Sequence, residues 1–111
     1  MAARDDADAH LPLKHHDFLV LAALHAGALH GYRIVQEIAV RTGDRVRLRP
    51  GNLYRVLDRL EQSGLCEESG RRPAAIHDDE RRTYYRLTAL GRAVLAAEAR
   101  MLAGVISTIR G

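Results

Sequence analysis

Between Arg45 and Arg59 the chain carries five arginines, Arg45, Arg47, Arg49, Arg55 and Arg59, against one acid, Asp58. Asn52 and Tyr54 sit among them. This is recognition chemistry. A guanidinium fork pairs with phosphate oxygens or with the edge of guanine, and an asparagine amide matches the edge of adenine. A tyrosine hydroxyl donates to phosphate. The other chemistry-bearing residues do not assemble into a reactive set. Of the six histidines, His15 and His16 adjoin Asp17, and His77 adjoins Asp78, Asp79 and Glu80. No two histidines stand four apart on a predicted helix, so no metal site and no cofactor are expected. A small metal-dependent hydrolase built on the cluster at His77 would lack a second group of ligands. Cys66 is the single cysteine. It excludes an internal disulfide, fits a reducing cytoplasm, and reads as a small buried apolar residue.

The arginines need an element to hold them, and the stretch Arg49 to Leu65 supplies it. Pro50 suits a first helical turn, where its missing N–H costs nothing, and Asn52 is placed to cap from within that turn. Gly64 stands where a left-handed residue closes a helix. Leu53, Val56, Leu57 and Leu60 recur at i, i+3, i+4 and i+7, the apolar stripe of an amphipathic helix. The opposite face carries Asn52, Tyr54, Arg55, Asp58, Arg59 and Gln62. A rod of this width fits the major groove of DNA.

The 111 residues suffice for one small domain. With 47% hydrophobic and 28% charged residues the composition is that of an ordinary soluble protein. The net charge is +3, and sixteen of the seventeen cationic residues are arginine. No apolar run reaches the roughly 18 residues that span a bilayer, and the N-terminus lacks the apolar core of a signal peptide, so a cytoplasmic location is expected. Residues 1–12 are polar, acidic and unpatterned and read as a flexible arm, disordered or loosely docked. A broadly apolar helix follows over His15 to His25 and stops at Gly27. A second opens at His30-Gly31-Tyr32 and ends near Thr42-Gly43. Residues 45–49 alternate arginine with Val46 and Leu48, predicting a short strand or an extended connector with the aliphatics inward. After the organising helix come two short strands, 65–68 and 82–87, around a charged loop at 70–80. Thr88 then caps a last helix with Leu90, Val94, Leu95, Met101, Leu102, Val105, Ile106 and Ile109. That helix is apolar around most of its circumference, and a second copy of itself is the simplest partner for the face left over.

Helix, helix, short strand, helix, hairpin, long helix is a mainly α order with a small β-hairpin. It predicts a winged helix-turn-helix domain over 13–88, with 50–63 as recognition helix and 65–87 as wing, and a dimerisation helix over 89–111. The chain resembles the PadR family of bacterial transcriptional regulators in its short form. The resemblance rests on Leu21 to Leu24, on His30-Gly31-Tyr32, on Pro50-Gly51-Asn52-Leu53-Tyr54-Arg55-x-Leu57-x-Arg59-Leu60-Glu61-x-x-Gly64-Leu65, and on Arg82-x-Tyr84-Tyr85-Arg86-Leu87-Thr88-x-x-Gly91. It covers about residues 13 to 100. It implies a homodimer joined through the first and last helices, binding of double-stranded operator DNA, and repression relieved by a small-molecule effector. The family commonly has Ser or Thr where Asn52 stands. The acidic His77-Asp78-Asp79-Glu80 tip suits phosphate poorly.

The residues expected at DNA are Tyr32, Arg47, Arg49, Gly51, Asn52, Tyr54, Arg55, Arg59, Arg81 and Arg82, with Arg71 and Arg72 as further backbone contacts. Asn52 can read adenine, and Arg55 can read guanine or hold phosphate. Tyr32, at a helix start, resembles the family's backbone-contact position. Phe18, Leu95, Leu102, Val105, Ile106 and Ile109 are expected between subunits. The chain is not expected to be an enzyme. The competing reading is a winged-helix protein-interaction module that does not read DNA sequence, for which an arginine-bearing outer face over 45–59 has no use.

Overall fold

The computed structural model describes residues 6–69 and 83–110. In chain order its elements are α1 (His15–Ala23), β1 (Leu29–His30), α2 (Gly31–Arg41), α3 (Pro50–Gln62), β2 (Cys66–Ser69), β3 (Tyr84–Leu87) and α4 (Ala89–Ile109). The helix ends follow from local chemistry. At the end of α3, Gly64 adopts φ +76°. Its N–H bonds to the Glu61 carbonyl at 3.0 Å, and that of Leu65 bonds to Leu60 at 2.9 Å. This paired arrangement satisfies carbonyls that a helix end otherwise orphans. Gly43 closes α2 in the same way at φ +60°, with the Asp44 N–H bonded to the Ala39 carbonyl at 2.7 Å. Thr88 caps α4 by accepting from the Gly91 N–H at 3.0 Å.

The predicted stripe of α3 is its buried face. Leu53, Val56, Leu57 and Leu60 pack with Leu21, Leu24, Ile34, Ile38, Leu65 and Val94 in one core. At roughly 1.5–3 kcal/mol for each fully buried aliphatic side chain, four such residues fix the rotation of the helix. Its other face is thereby turned outward.

The predicted hairpin is present as β2 and β3, and a third strand extends it. Three antiparallel strands lie in the order β1-β3-β2. Leu29 pairs with Tyr85 and His30 with Tyr84, while Cys66 pairs with Leu87 and Ser69 with Tyr84. The third strand is thus residues 29–30, and residues 45–49 are an extended connector without a ladder partner. The expected side-chain alternation holds there all the same: Leu48 is buried, Val46 half-buried, and Arg45, Arg47 and Arg49 are exposed. Because β3 is central, Tyr84 is buried along with Tyr85 and Leu87, and of its residues only Arg86 is exposed. The His30 ring meets Tyr84 edge to face at 5.4 Å. In the described part of the N-terminal arm, Ala7 is buried in the core and Leu11 packs against it. Nearby the Leu13 N–H donates to Oε1 of Glu98 at 3.1 Å, which gives that buried carboxylate a partner.

The start of α4 crosses the end of α3 with no space to spare. A Cβ built on Gly91 would lie 1.9 Å from the Leu65 carbonyl oxygen. The Thr88 hydroxyl donates to the Gly64 carbonyl at 2.6 Å. The Gly64-Leu65 and Thr88-x-x-Gly91 motifs are therefore two halves of one junction. Beyond it Val94, Leu95, Ala97 and Glu98 are buried, and from Ala99 onward every described residue of α4 is exposed except the half-buried Leu102. No described helix is long and apolar enough to cross a membrane.

Candidate nucleic-acid interface

The starts of α2 and α3 meet at the surface. Gly31, Tyr32 and Val35 of α2, Pro50, Leu53 and Tyr54 of α3, and Leu48 between them line one apolar slot of about 330 Å³. Of the residues expected at DNA, Tyr32 and Tyr54 line it. Tyr32 is 66% exposed and Tyr54 48%. Arg49, Gly51, Asn52 and Arg55 are exposed as well. The side chains of Arg49, Asn52, Tyr54 and Arg55 make no hydrogen bond or ion pair among the described residues. Asn52 does not cap α3, contrary to the expectation. Its helix starts at Pro50 behind an extended Arg49, with no side-chain cap. The amide of Asn52 is left to the exterior, as are the uncapped first-turn N–H groups.

Arg47 pairs with Asp44 at 2.9 Å, both side chains 69% exposed. Such a pair contributes little and can be exchanged for phosphate. Arg59 is placed differently from the other arginines. Its Nε donates to Asp17 Oδ2 at 3.2 Å, and its Nη2 donates to Asp17 Oδ1. Asp17 is a buried residue of α1. The bonded carboxylate holds the Arg59 proton more tightly than usual, against the opposing effect of burial. Arg59 thus clamps α1 to α3 by a two-point fork, and the expected role at DNA does not fit its placement. Arg81, Arg82, Arg71, Arg72 and the tip at 77–80 lie outside the described residues.

His30, at the opening of α2, has a structural role not assigned from the sequence. Its Nδ1 accepts from the Arg33 N–H at 3.4 Å, capping α2. Its ring lies parallel to that of Tyr32, 6° apart in plane and 6.4 Å between centroids. With Tyr84 on its other side, His30 ties the central strand to the exposed Tyr32. The signal for this was the motif itself, a polar residue just before a helix start. Cys66 is buried in the sheet, and burial, reinforced by Glu61 and Glu67, pushes its thiol up to about 12.

The residues expected between subunits divide. Leu102, Val105, Ile106 and Ile109 lie on the distal half of α4 and are exposed or half-buried. Leu95 is only 7% exposed and belongs chiefly to the chain's own core, because the proximal half of α4 packs on α1. Phe18 is half-buried beside it, and the two share a groove of about 350 Å³ with Ala22, Ala96, Arg41 and Arg92.

Three helices and a small antiparallel sheet, with the amphipathic third helix offering hydrogen-bonding and cationic groups outward, define a DNA-binding winged-helix regulator. The chain belongs to the PadR-like family of transcriptional regulators, whose model matches residues 20–97. Its members regulate transcription and are not enzymes. The chain is 37% identical over 94 residues to the transcriptional regulator Rv3488 of Mycobacterium tuberculosis, covering 82% of this chain and 81% of that protein. A PadR family regulator from Clostridium difficile R20291 superposes with TM-score 0.67 at 26% identity, over 88% of this chain and all of that one. RosR of H. salinarum, in its hsRosR-S4 complex, gives TM-score 0.69 at 27% identity, over 92% and 78%.

Proposed function

We propose that the chain is a homodimeric repressor that binds a two-fold operator through α3 and leaves it when a small-molecule effector binds. The observation that carries the DNA half of this reading is the set Arg49, Asn52, Tyr54 and Arg55, without a hydrogen-bond or ion-pair partner among the described residues, at the start and on the outer side of a helix whose other face is core. In this reading Asn52 and Arg55 read base edges. Tyr32, Tyr54, Arg47 and Arg49 hold the sugar-phosphate backbone, as do Arg81 and Arg82 on the wing, and set the register. Gly51 keeps the start of α3 bare where the backbone approaches.

The dimer half draws support from the distal part of α4. There Met101, Val105, Ile106 and Ile109 expose apolar surface that a second copy would cover. The effector half draws support from the groove beside Phe18, whose apolar floor and arginine rim suit a small amphipathic molecule.

The test is fluorescence anisotropy with DNA from upstream of the protein's own gene, compared with a scrambled duplex over a salt series. Preference for the upstream duplex with a steep fall in affinity at rising salt is the expected result. Protection of two half-sites about 34 Å or a multiple of it apart would follow from two-fold symmetry. Equal, weak binding to both duplexes and to a random-sequence pool would sink the operator reading in favour of a protein-interaction module.

A further inference from the structure

Gly31, the middle residue of His30-Gly31-Tyr32, has ordinary helical backbone at the start of α2, so no left-handed turn calls for glycine there. What calls for it is a neighbour. A Cβ built on Gly31 would lie 2.7 Å from the hydroxyl oxygen of Tyr54 and 3.3 Å from its Cζ. It would also lie 3.3 Å from Cδ2 of Leu53. The phenol of Tyr54 therefore rests against the bare backbone of α2, and its ring forms a wall of the slot shared with Tyr32. The hydroxyl makes no hydrogen bond among the described residues, and what those residues supply to the perch is shape. The slot also gives the ring open space to move into. A methyl group at Gly31 would displace the tyrosine before it disturbed the core.

We infer that Gly31 is a positioning residue for DNA binding. Its missing side chain seats the Tyr54 phenol where the starts of α2 and α3 converge, and so fixes the hydroxyl that α3 offers to a DNA phosphate. This rests on the reading of Tyr54 as a DNA contact. A hydroxyl that wanders in the free protein must be ordered on binding, and that ordering weakens the complex. Gly31 touches no DNA in this account and acts only through Tyr54.

A double-mutant cycle separates this from its alternatives. The probe is a duplex that the wild-type protein selects from a random-sequence pool, and anisotropy is read on wild type, Gly31→Ala, Tyr54→Ala and the double variant. Tyr54→Ala is expected to lose about tenfold in affinity, the effect of one hydrogen bond to a charged group. Gly31→Ala is expected to lose several-fold in affinity with a melting temperature no lower than that of wild type. The double variant is expected to bind no worse than Tyr54→Ala. Losses that multiply in the double variant overturn the inference, as does a Gly31→Ala protein that binds like wild type while Tyr54→Ala is weak. If Tyr54→Ala binds like wild type, or the wild type selects no sequence, the DNA reading of Tyr54 fails first and the inference falls with it. If Gly31→Ala melts early, the comparison moves to the Tyr54→Phe background, which lacks the oxygen met at 2.7 Å. There the added alanine is expected to change neither melting nor binding, and a further loss of affinity overturns the inference.

Discussion

Gly51 is the counterpart of Gly31, one residue into the recognition helix. A Cβ there would meet nothing within 4 Å, and the backbone is helical. Alanine at such a position favours the helix by roughly 0.5–1 kcal/mol. The fold alone would thus prefer alanine, and if the glycine serves anything it serves what approaches from outside. Gly51→Ala is expected to raise the melting temperature by a few degrees, at roughly 4–8 °C per kcal/mol, and to weaken operator binding. A thermal scan beside an anisotropy titration reads both. A variant that melts higher and binds like wild type would show that DNA does not approach this backbone. Arg55→Ala tests the neighbouring side chain. A loss of about 1–3 kcal/mol on the operator alone identifies a base contact, and an equal loss on scrambled DNA makes Arg55 a phosphate holder. Residue types and spacing made this surface legible, since Tyr32, Arg49, Asn52, Tyr54 and Arg55 all stand outward. They misplaced Arg59. A charge on a helix does not disclose what faces it, and Asp17 lies 42 positions away in the chain. Asn52 failed as a cap because Arg49 takes the extended position before the helix and Pro50 its first turn.

Among the elements, α3 was readable because both its ends and its face carry separate signals that agree. The sheet was readable only in part: the predicted hairpin is there as β2 and β3, and its third strand was missed, for two reasons. A two-residue strand such as β1 has no period to detect. The alternation over 45–49 needs only an inside and an outside, which an extended connector satisfies without a ladder partner. The sheet also carries a testable titration. Cys66 on β2 and Tyr85 on β3 both have protons held up to about 12 by burial, with Glu61 adding to each. Their ordinary values are 9.0 and 10.0. Between those values and about 12 the unfolded chain releases the two protons while the folded chain keeps them. Stability is therefore complete below about pH 9 and falls as pH rises toward 12, by linkage. Urea midpoints measured from pH 8 to 11 are expected to decline, and Cys66→Ala is expected to flatten the first part of the decline. A midpoint that stays level across that range would show that neither group is held in its neutral form by the fold.

At the scale of the whole molecule, what remains is the part of α4 that leaves the domain. A helix of 21 residues is about 30 Å long, and only its first half has a core to lie on. In the second half Val105 is 53% exposed, Ile106 48% and Ile109 76%. Sequence periodicity marked this helix as apolar on too many sides for one small domain, and that excess is what the described half-exposure displays. It did not separate Leu95 from Ile106, because both are apolar and only the crossing at Gly91 decides which turns are covered. The distinction makes a clean experiment. Ile106 is half exposed and lies outside the core formed by the described residues, so Ile106→Asp costs the fold little. An interface that closed over residue 106 would have to bury the new carboxylate without a partner, which it does not tolerate. Light scattering on the wild type is expected to give twice the 12.3 kDa chain mass, and on Ile106→Asp the single mass with an unaltered helix signal. Operator affinity should fall with it, because two half-sites held by one rigid dimer bind with a shared entropy cost that two separate monomers meet twice. If Ile106→Asp keeps the doubled mass, the distal helix is not the interface, and the apolar surface at 101–109 needs another partner.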